Sequence, residues 1–187
     1  MSLFQNIIVI LLLIAAAGFL SLTEIALAGA RKVKLKILAE SGELRAQKVL
    51  DLQAQSANFF AASQIGLNAI AILGGILGEA AFRPYFVELM QHFYNGPWLE
   101  TIGFALSFTL VTSLFILFAD LMPKRLAMIA PEKIAIRVID PIQVFIKVCK
   151  PLAWGINAIA NLLFRLFKVN TVRDDNITFD DISAVMD

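Results

Sequence analysis

The chain is poor in the residues that build soluble catalytic sites. Its 187 residues include one cysteine, Cys149, and one histidine, His92. A lone cysteine forms no intrachain disulfide, which excludes a secreted disulfide scaffold. A lone histidine leaves no pair for a histidine-based metal centre. Charge is scarce as well, at 17% of residues against about 25% in ordinary soluble domains. The 16 basic and 15 acidic residues nearly cancel, giving +1. No net field selects a polyanion, so a nucleic-acid partner is excluded. There is no G-x-x-x-x-G-K-[ST] phosphate loop, no H-E-x-x-H and no G-x-S-x-G in the chain. An enzyme is therefore not expected.

What the chain has in excess is apolar surface: 59% of residues are hydrophobic and the mean hydropathy is +0.77. That is too much for one soluble core and the opposite of a disordered composition. Three runs reach the roughly 20 apolar residues that a bilayer crossing needs. They run from Leu3 to Ala30 with Glu24 as the sole charge, from Ala57 to Phe82 with only Glu79, and from Thr101 to Met122 with Asp120 near the end. The first is too long for a signal-peptide core and lacks a basic leader, so it reads as a retained helix. The fold class is an all-α membrane protein with three transmembrane helices.

Basic residues set the orientation. Six follow the first run (Arg31 to Lys48), one, Arg83, lies between the second and third, and nine follow the third. The positive-inside rule then places the N-terminus outside and the C-terminus in the cytoplasm. Residues 83–100, with Pro84, Tyr94, Pro97 and Trp98, fit an outer interfacial turn. Residues 141–169 are apolar, but the uncharged stretch from Pro151 to Phe164 is short for a span. Pro131, Pro141 and Pro151 punctuate this part, so short helices lying along the inner leaflet are expected, with a re-entrant or fourth crossing segment as the alternative. The division is 1–122 as a three-helix core, 123–170 as a juxtamembrane belt, and 171–187 as the start of a cytoplasmic linker. Asn176-Ile-Thr-Phe-Asp-Asp-Ile reads as a cap entering a helix that is cut off at Asp187.

Polar groups at membrane depth carry the chemistry. A central Asp costs about 2.5–3.5 kcal/mol to insert, so it needs a partner, a cavity or a task. Ser21 and Glu24 share one helix face, with Thr23 to the side. Gln64, Asn68, Gly75 and Glu79 fall on one stripe, as do Thr109, Ser113 and Asp120. Three such stripes facing one another make a wet cleft. Pro123 lacks the N–H that would bond the carbonyl of Ala119, freeing an oxygen beside the Asp120 carboxylate. Unwound backbone next to a carboxylate is how helical transporters hold small cations. With Ser21 and Asn68, four hard oxygen ligands converge, suited to Mg²⁺ or Na⁺. The plainer readings are that Ser and Thr bond their own helix carbonyls, that Asn68 is interhelical glue, and that Asp120 pairs with Lys124 or Arg125. Gly74-x-x-x-Gly78 permits close helix approach, within one chain or across a homodimer.

At these residues the chain resembles the transmembrane domain of the CNNM/CorC family of divalent-cation transporters. Phe19-Leu-Ser-Leu-Thr-Glu is similar to its first-helix F-S-x-x-E signature, Gln64-Ile-Gly-Leu-Asn to its second-helix asparagine motif, and Asp120-Leu-Met-Pro-Lys-Arg to its G-E-x-x-P-K element. The resemblance implies a multi-pass protein of the bacterial inner membrane, a homodimer among membrane lipid, and a cytoplasmic CBS-domain pair that binds adenine nucleotide beyond this chain. It carries the metal-ligand role onto Ser21, Asn68, Asp120 and the Ala119 carbonyl; by the stripes and the proline break above, Thr23, Glu24, Gln64, Ser113 and Pro123 are expected to support the cavity. Na⁺-coupled Mg²⁺ efflux by alternating access is the function implied. The family's Gly-Glu is Ala119-Asp120 here. An acid one methylene shorter leaves room for water-mediated binding, another ion or an organic cation. Some branches are linked to polyamine efflux, and Glu24, Asp120 and 15 Phe would suit an ammonium. A non-transporting membrane scaffold that anchors the CBS domains is the other alternative.

Overall fold

The computed structural model describes residues 3–166, and they form seven α-helices and one π-helical segment. The tail motif at 176–182 lies outside the described residues. The chain divides into two compact units, residues 1–150 and 151–187.

Helix α1 (Leu3–Gly29) is apolar apart from Gln5, Asn6, Ser21, Thr23 and Glu24 and, at 1.5 Å per residue, about 40 Å long, enough to cross a bilayer. Its last carbonyls have no partner within the helix. Gln53 supplies one, its amide donating to Leu27 O at 2.8 Å and Ala30 O at 2.9 Å. Between α1 and the next span lies a helical hairpin that the sequence reading did not anticipate, α2 (Lys32–Glu40) and α3 (Leu44–Ala54). Its turn uses Gly42 at φ +99°, a conformation open to glycine at little cost. Leu35, Ala46 and Val49 are its buried residues.

Helix α4 (Ser56–Gln91) corrects the expected outer turn at 83–100. The helix runs through Pro84 and ends at Gln91. Proline removes one helical hydrogen bond, but the helix beyond it is held by packing. Val87 fits against Gly103, where an added Cβ would lie 2.4 Å from Val87 Cγ2. The connection therefore shrinks to residues 92–98, with Tyr94 and Trp98 exposed.

The third crossing is composite: α5 (Leu99–Leu114), a π-helical segment (Phe115–Leu121) and α6 (Met122–Ile129). The Met122 N–H bonds Leu117 O, five residues back, which accommodates an extra residue in the turn before Pro123. Helix α7 (Pro131–Leu166) corrects a second expectation, because Pro141 and Pro151 do not divide it into short helices. Pro131 stands at the first helical position, where its missing N–H is not needed. Either side of Pro141, Ala135, Val138, Ile139 and Ile142 are buried at helical spacing and hold the backbone in register.

Among the described residues, three helical stretches are long and apolar enough to span: Phe4–Gly29, Phe59–Gln91 and Leu99–Ile129. Only 33%, 22% and 22% of their most apolar windows is buried within the chain, so most of that surface is left for lipid or a partner chain. The main buried cluster lies at the α2–α3 end, where Leu27, Leu35, Val49, Phe59, Ile139 and Ile142 pack together. Two sets of ion pairs fasten α7 there. Glu132 receives Arg31 at 3.1 Å and Lys34 at 3.4 Å, and Asp140 receives Arg45 at 2.9 Å and Lys48 at 2.7 Å.

Candidate functional site

The polar faces of the three crossings meet at one cavity of about 370 Å³. Helix α1 contributes Ala17 and Glu24, α4 contributes Gln64, Leu67, Asn68 and Ala71, and the composite crossing contributes Phe115, Ile116, Ala119, Asp120 and Lys124. On α4 these positions are three or four apart and on α1 they are seven apart, two turns, so each helix shows one stripe to the cavity. Small residues let the helices close in. Gly18 on α1 sits against the π segment, where a Cβ would meet Pro123 Cγ at 3.2 Å and Phe118 O at 3.3 Å. Gly74 and Gly78 on α4 receive Phe115 and Val111. The Gly74-x-x-x-Gly78 pattern is thus used inside one chain.

Asp120 is the focus of the hydrogen bonding. The Ser21 hydroxyl donates to Asp120 Oδ1 at 3.2 Å, and the Lys124 ammonium approaches the same oxygen at 2.5 Å. Opposite, Gln64 Nε2 donates to Asn68 Oδ1 at 3.3 Å. Glu24 has no hydrogen bond or ion pair among the described residues. Two carboxylates therefore face the cavity against one ammonium, and the lining is negative overall.

Ser21, Asn68, Ala119 and Asp120 are brought together, as are Glu24 and Gln64. The other three candidates lie elsewhere. Thr23 is buried and its hydroxyl donates to Phe19 O at 2.7 Å, the within-helix bond that competes with any site role. Ser113 is exposed and does not line the cavity. Pro123 borders a separate apolar hollow with Leu11, Phe19 and Leu22. Glu79, on the same stripe as Asn68 by spacing, is buried against Arg83, whose guanidinium stands 5.6 Å from the Phe104 ring centre. Among the described residues no three His, Cys, Asp or Glu side chains come together. Among the lining residues that the sequence reading missed, Phe115 and Lys124 bear on the chemistry. Phe115 carries no local signal. Lys124 stands four residues after Asp120, a spacing that favours pairing on a helix, and only its role in the cavity went unread.

Outside the spans, the ion pairs on α7 shift their acids. Asp140 is held below the usual carboxylate range by its hydrogen bond with Lys48 and the charge of Arg45. Burial pushes Glu132 upward, but its own backbone N–H and the bonds from Arg31 and Lys34 outweigh that, leaving it low.

Three helices long and apolar enough to cross a bilayer, around an acidic cavity, define an all-helical membrane protein. The chain belongs to the CNNM family: the Cyclin M transmembrane N-terminal domain matches residues 7–187. It is 52% identical over 183 residues to the polyamine export protein of Escherichia coli K12, covering 98% of this chain and 41% of that protein. The polyamine export protein of Haemophilus influenzae is 44% identical over 187 residues, covering 100% of this chain and 43% of its own length. A UPF0053 protein of Synechocystis is 30% identical over 179 residues, with 95% and 40% covered. The chain thus spans about two-fifths of the length of these relatives.

Proposed function

We propose that this chain is the membrane-embedded part of a polyamine exporter, with putrescine or cadaverine as the cargo class. The observation that carries this reading is the cavity itself, in which Glu24 and Asp120 line one space of about 370 Å³. A diamine places an ammonium at each end, one for each carboxylate. The amides of Gln64 and Asn68 offer hydrogen bonds, and the Phe115 ring offers an apolar or cation–π face to the carbon chain. The names of the two polyamine-exporting relatives support the same cargo over Mg²⁺, the first expectation from the sequence. Mg²⁺ demands near-octahedral oxygen ligands at about 2.0–2.1 Å, and Asp120 is already engaged by an ammonium. Mg²⁺ is then a competitor at Asp120.

Export of a dication from a cell negative inside costs about 4.6 kcal/mol per 100 mV. Inward Na⁺ is the coupling we propose, with alternating access about the composite third crossing. The N-terminus lies outside and α2, α3 and α7 form a belt along the inner leaflet of the bacterial inner membrane. The protein works as a homodimer with CBS domains in the remainder of its length. Transport of labelled putrescine by the full-length protein in proteoliposomes tests this reading. Wild type is expected to move putrescine, and Glu24→Gln and Asp120→Asn to lose about tenfold of the rate, the equivalent of about 1.4 kcal/mol. Mg²⁺ flux without putrescine flux would overturn the assignment, and no cation flux at any gradient would leave a scaffold.

A further inference from the structure

The Lys124–Asp120 pair occupies the place where a substrate ammonium would bind. Lys124 Nζ lies 2.5 Å from Asp120 Oδ1, the oxygen that also receives the Ser21 hydroxyl at 3.2 Å. Lys124 is itself part of the cavity wall, as are Glu24 and Asn68. Its side chain is 35% exposed and that of Asp120 is 49% exposed, so neither is locked by packing. A primary ammonium on a flexible four-carbon stem is chemically the same group as one end of a diamine. We propose that Lys124 is a built-in competitor, an internal ammonium that neutralises Asp120 when no cargo is bound and that an incoming polyamine must displace. This rests on the polyamine reading of the cavity.

The charge count gives the idea its consequence. With Lys124 on Asp120, only Glu24 is uncompensated and the cavity suits a single positive charge. With Lys124 swung away, two carboxylates are free and the cavity suits a dication. Cargo with two ammoniums can therefore replace Lys124 on Asp120 while also satisfying Glu24. A monoamine gains one carboxylate either way, so displacement brings it nothing. Lys124 thus keeps Asp120 closed to single charges and lowers the affinity for a dication by the cost of its own displacement. Its return to Asp120 also helps to expel cargo on the far side of the cycle.

Calorimetric binding to the purified full-length protein tests this with putrescine and butylamine as probes, on wild type, Lys124→Met, Lys124→Arg and Asp120→Asn. Lys124→Met is expected to bind putrescine about three- to tenfold more tightly, the latter equal to about 1.4 kcal/mol. Butylamine, which finds one carboxylate either way, should gain less, at most about twofold, so that the preference for the diamine widens. Lys124→Arg keeps a cation and should resemble wild type. Lys124→Met binding at wild-type strength or weaker, with a wild-type melting transition, overturns the competitor. If that variant does not fold, the test moves to wild type with ¹³C-methylated lysines. The Lys124 signal, assigned through Lys124→Arg, should shift on putrescine addition, and an unmoved signal at saturation overturns the proposal. Equal binding by wild type and Asp120→Asn instead rejects the cavity as the polyamine site, a different failure.

Discussion

Gly74 shows how one missing side chain shapes the cavity. A Cβ at this position would lie 2.1 Å from Phe115 Cζ, inside any allowed contact, so the ring must give way. Phe115 also lines the cavity, and a displaced ring disturbs the space next to Asp120. Gly74→Ala is expected to destabilise the protein by about 1–3 kcal/mol through overpacking and to weaken putrescine binding. Gly75, its neighbour, has nothing within 4 Å of the corresponding Cβ. Gly75→Ala removes backbone entropy from a helix interior and should be neutral or stabilising by about 0.5–1 kcal/mol. Thermal unfolding and calorimetry on both variants check the contrast. Equal behaviour would mean that the Gly74–Phe115 contact does not hold this face together.

The helices separate what the sequence makes legible from what it hides. The three crossings were readable because hydropathy over about 20 residues is a local property. The stripes holding Ser21, Glu24, Gln64, Asn68 and Asp120 were readable because helical periodicity fixes which positions share a face. The hairpin α2–α3 was not, since its helices are short and polar on average and are stabilised by burying Leu35, Ala46 and Val49 against distant parts of the chain. Pro84 and Pro141 misled for a related reason: the local cost of a proline is visible in sequence, while the packing of Val87 on Gly103 or of Ile139 and Ile142 is not. The π segment is the third case. It has no compositional signature, yet π turns inside α-helices often mark functional positions. Deleting Leu117, an exposed residue of that turn, should restore a regular helix with both flanks still facing their neighbours. Such a variant is expected to melt at or above the wild-type temperature and to lose putrescine binding. Retained affinity would separate the π turn from the site. The pairs that fasten α7 carry their own signature. Glu132 and Asp140 have folded-state pKa values below their ordinary ones, so their contribution is present above the unfolded value near pH 4 and is lost as the pH falls through the lower folded value. Stability should therefore drop below about pH 4, and the double variant Glu132→Gln/Asp140→Asn should show a shallower acid limb in melting experiments.

Direction of transport depends on which way the whole assembly faces the membrane. The connection between the first two crossings carries six basic residues and the connection between the second and third lies next to a single arginine. Four of the six, Arg31, Lys34, Arg45 and Lys48, are paired with acids of α7. Pairing does not weaken the orientation argument, because the rule counts Lys and Arg near the spans and Asp and Glu contribute little. Glu24 lies five residues before the end of α1, about 7.5 Å along the helix axis from the α2–α3 end. The acidic cavity thus lies toward the side bearing the basic hairpin, and a cytoplasmic hairpin makes it a site loaded from within. In a Cys149→Ser background, Asn95→Cys in the 92–98 connection should react with a membrane-impermeant thiol reagent on intact cells. Ser41→Cys, in the α2–α3 turn, should react only after permeabilisation. The reverse pattern would place the carboxylates nearer the outer face, where they would collect cations for uptake, and would overturn export while leaving the cavity and its chemistry intact.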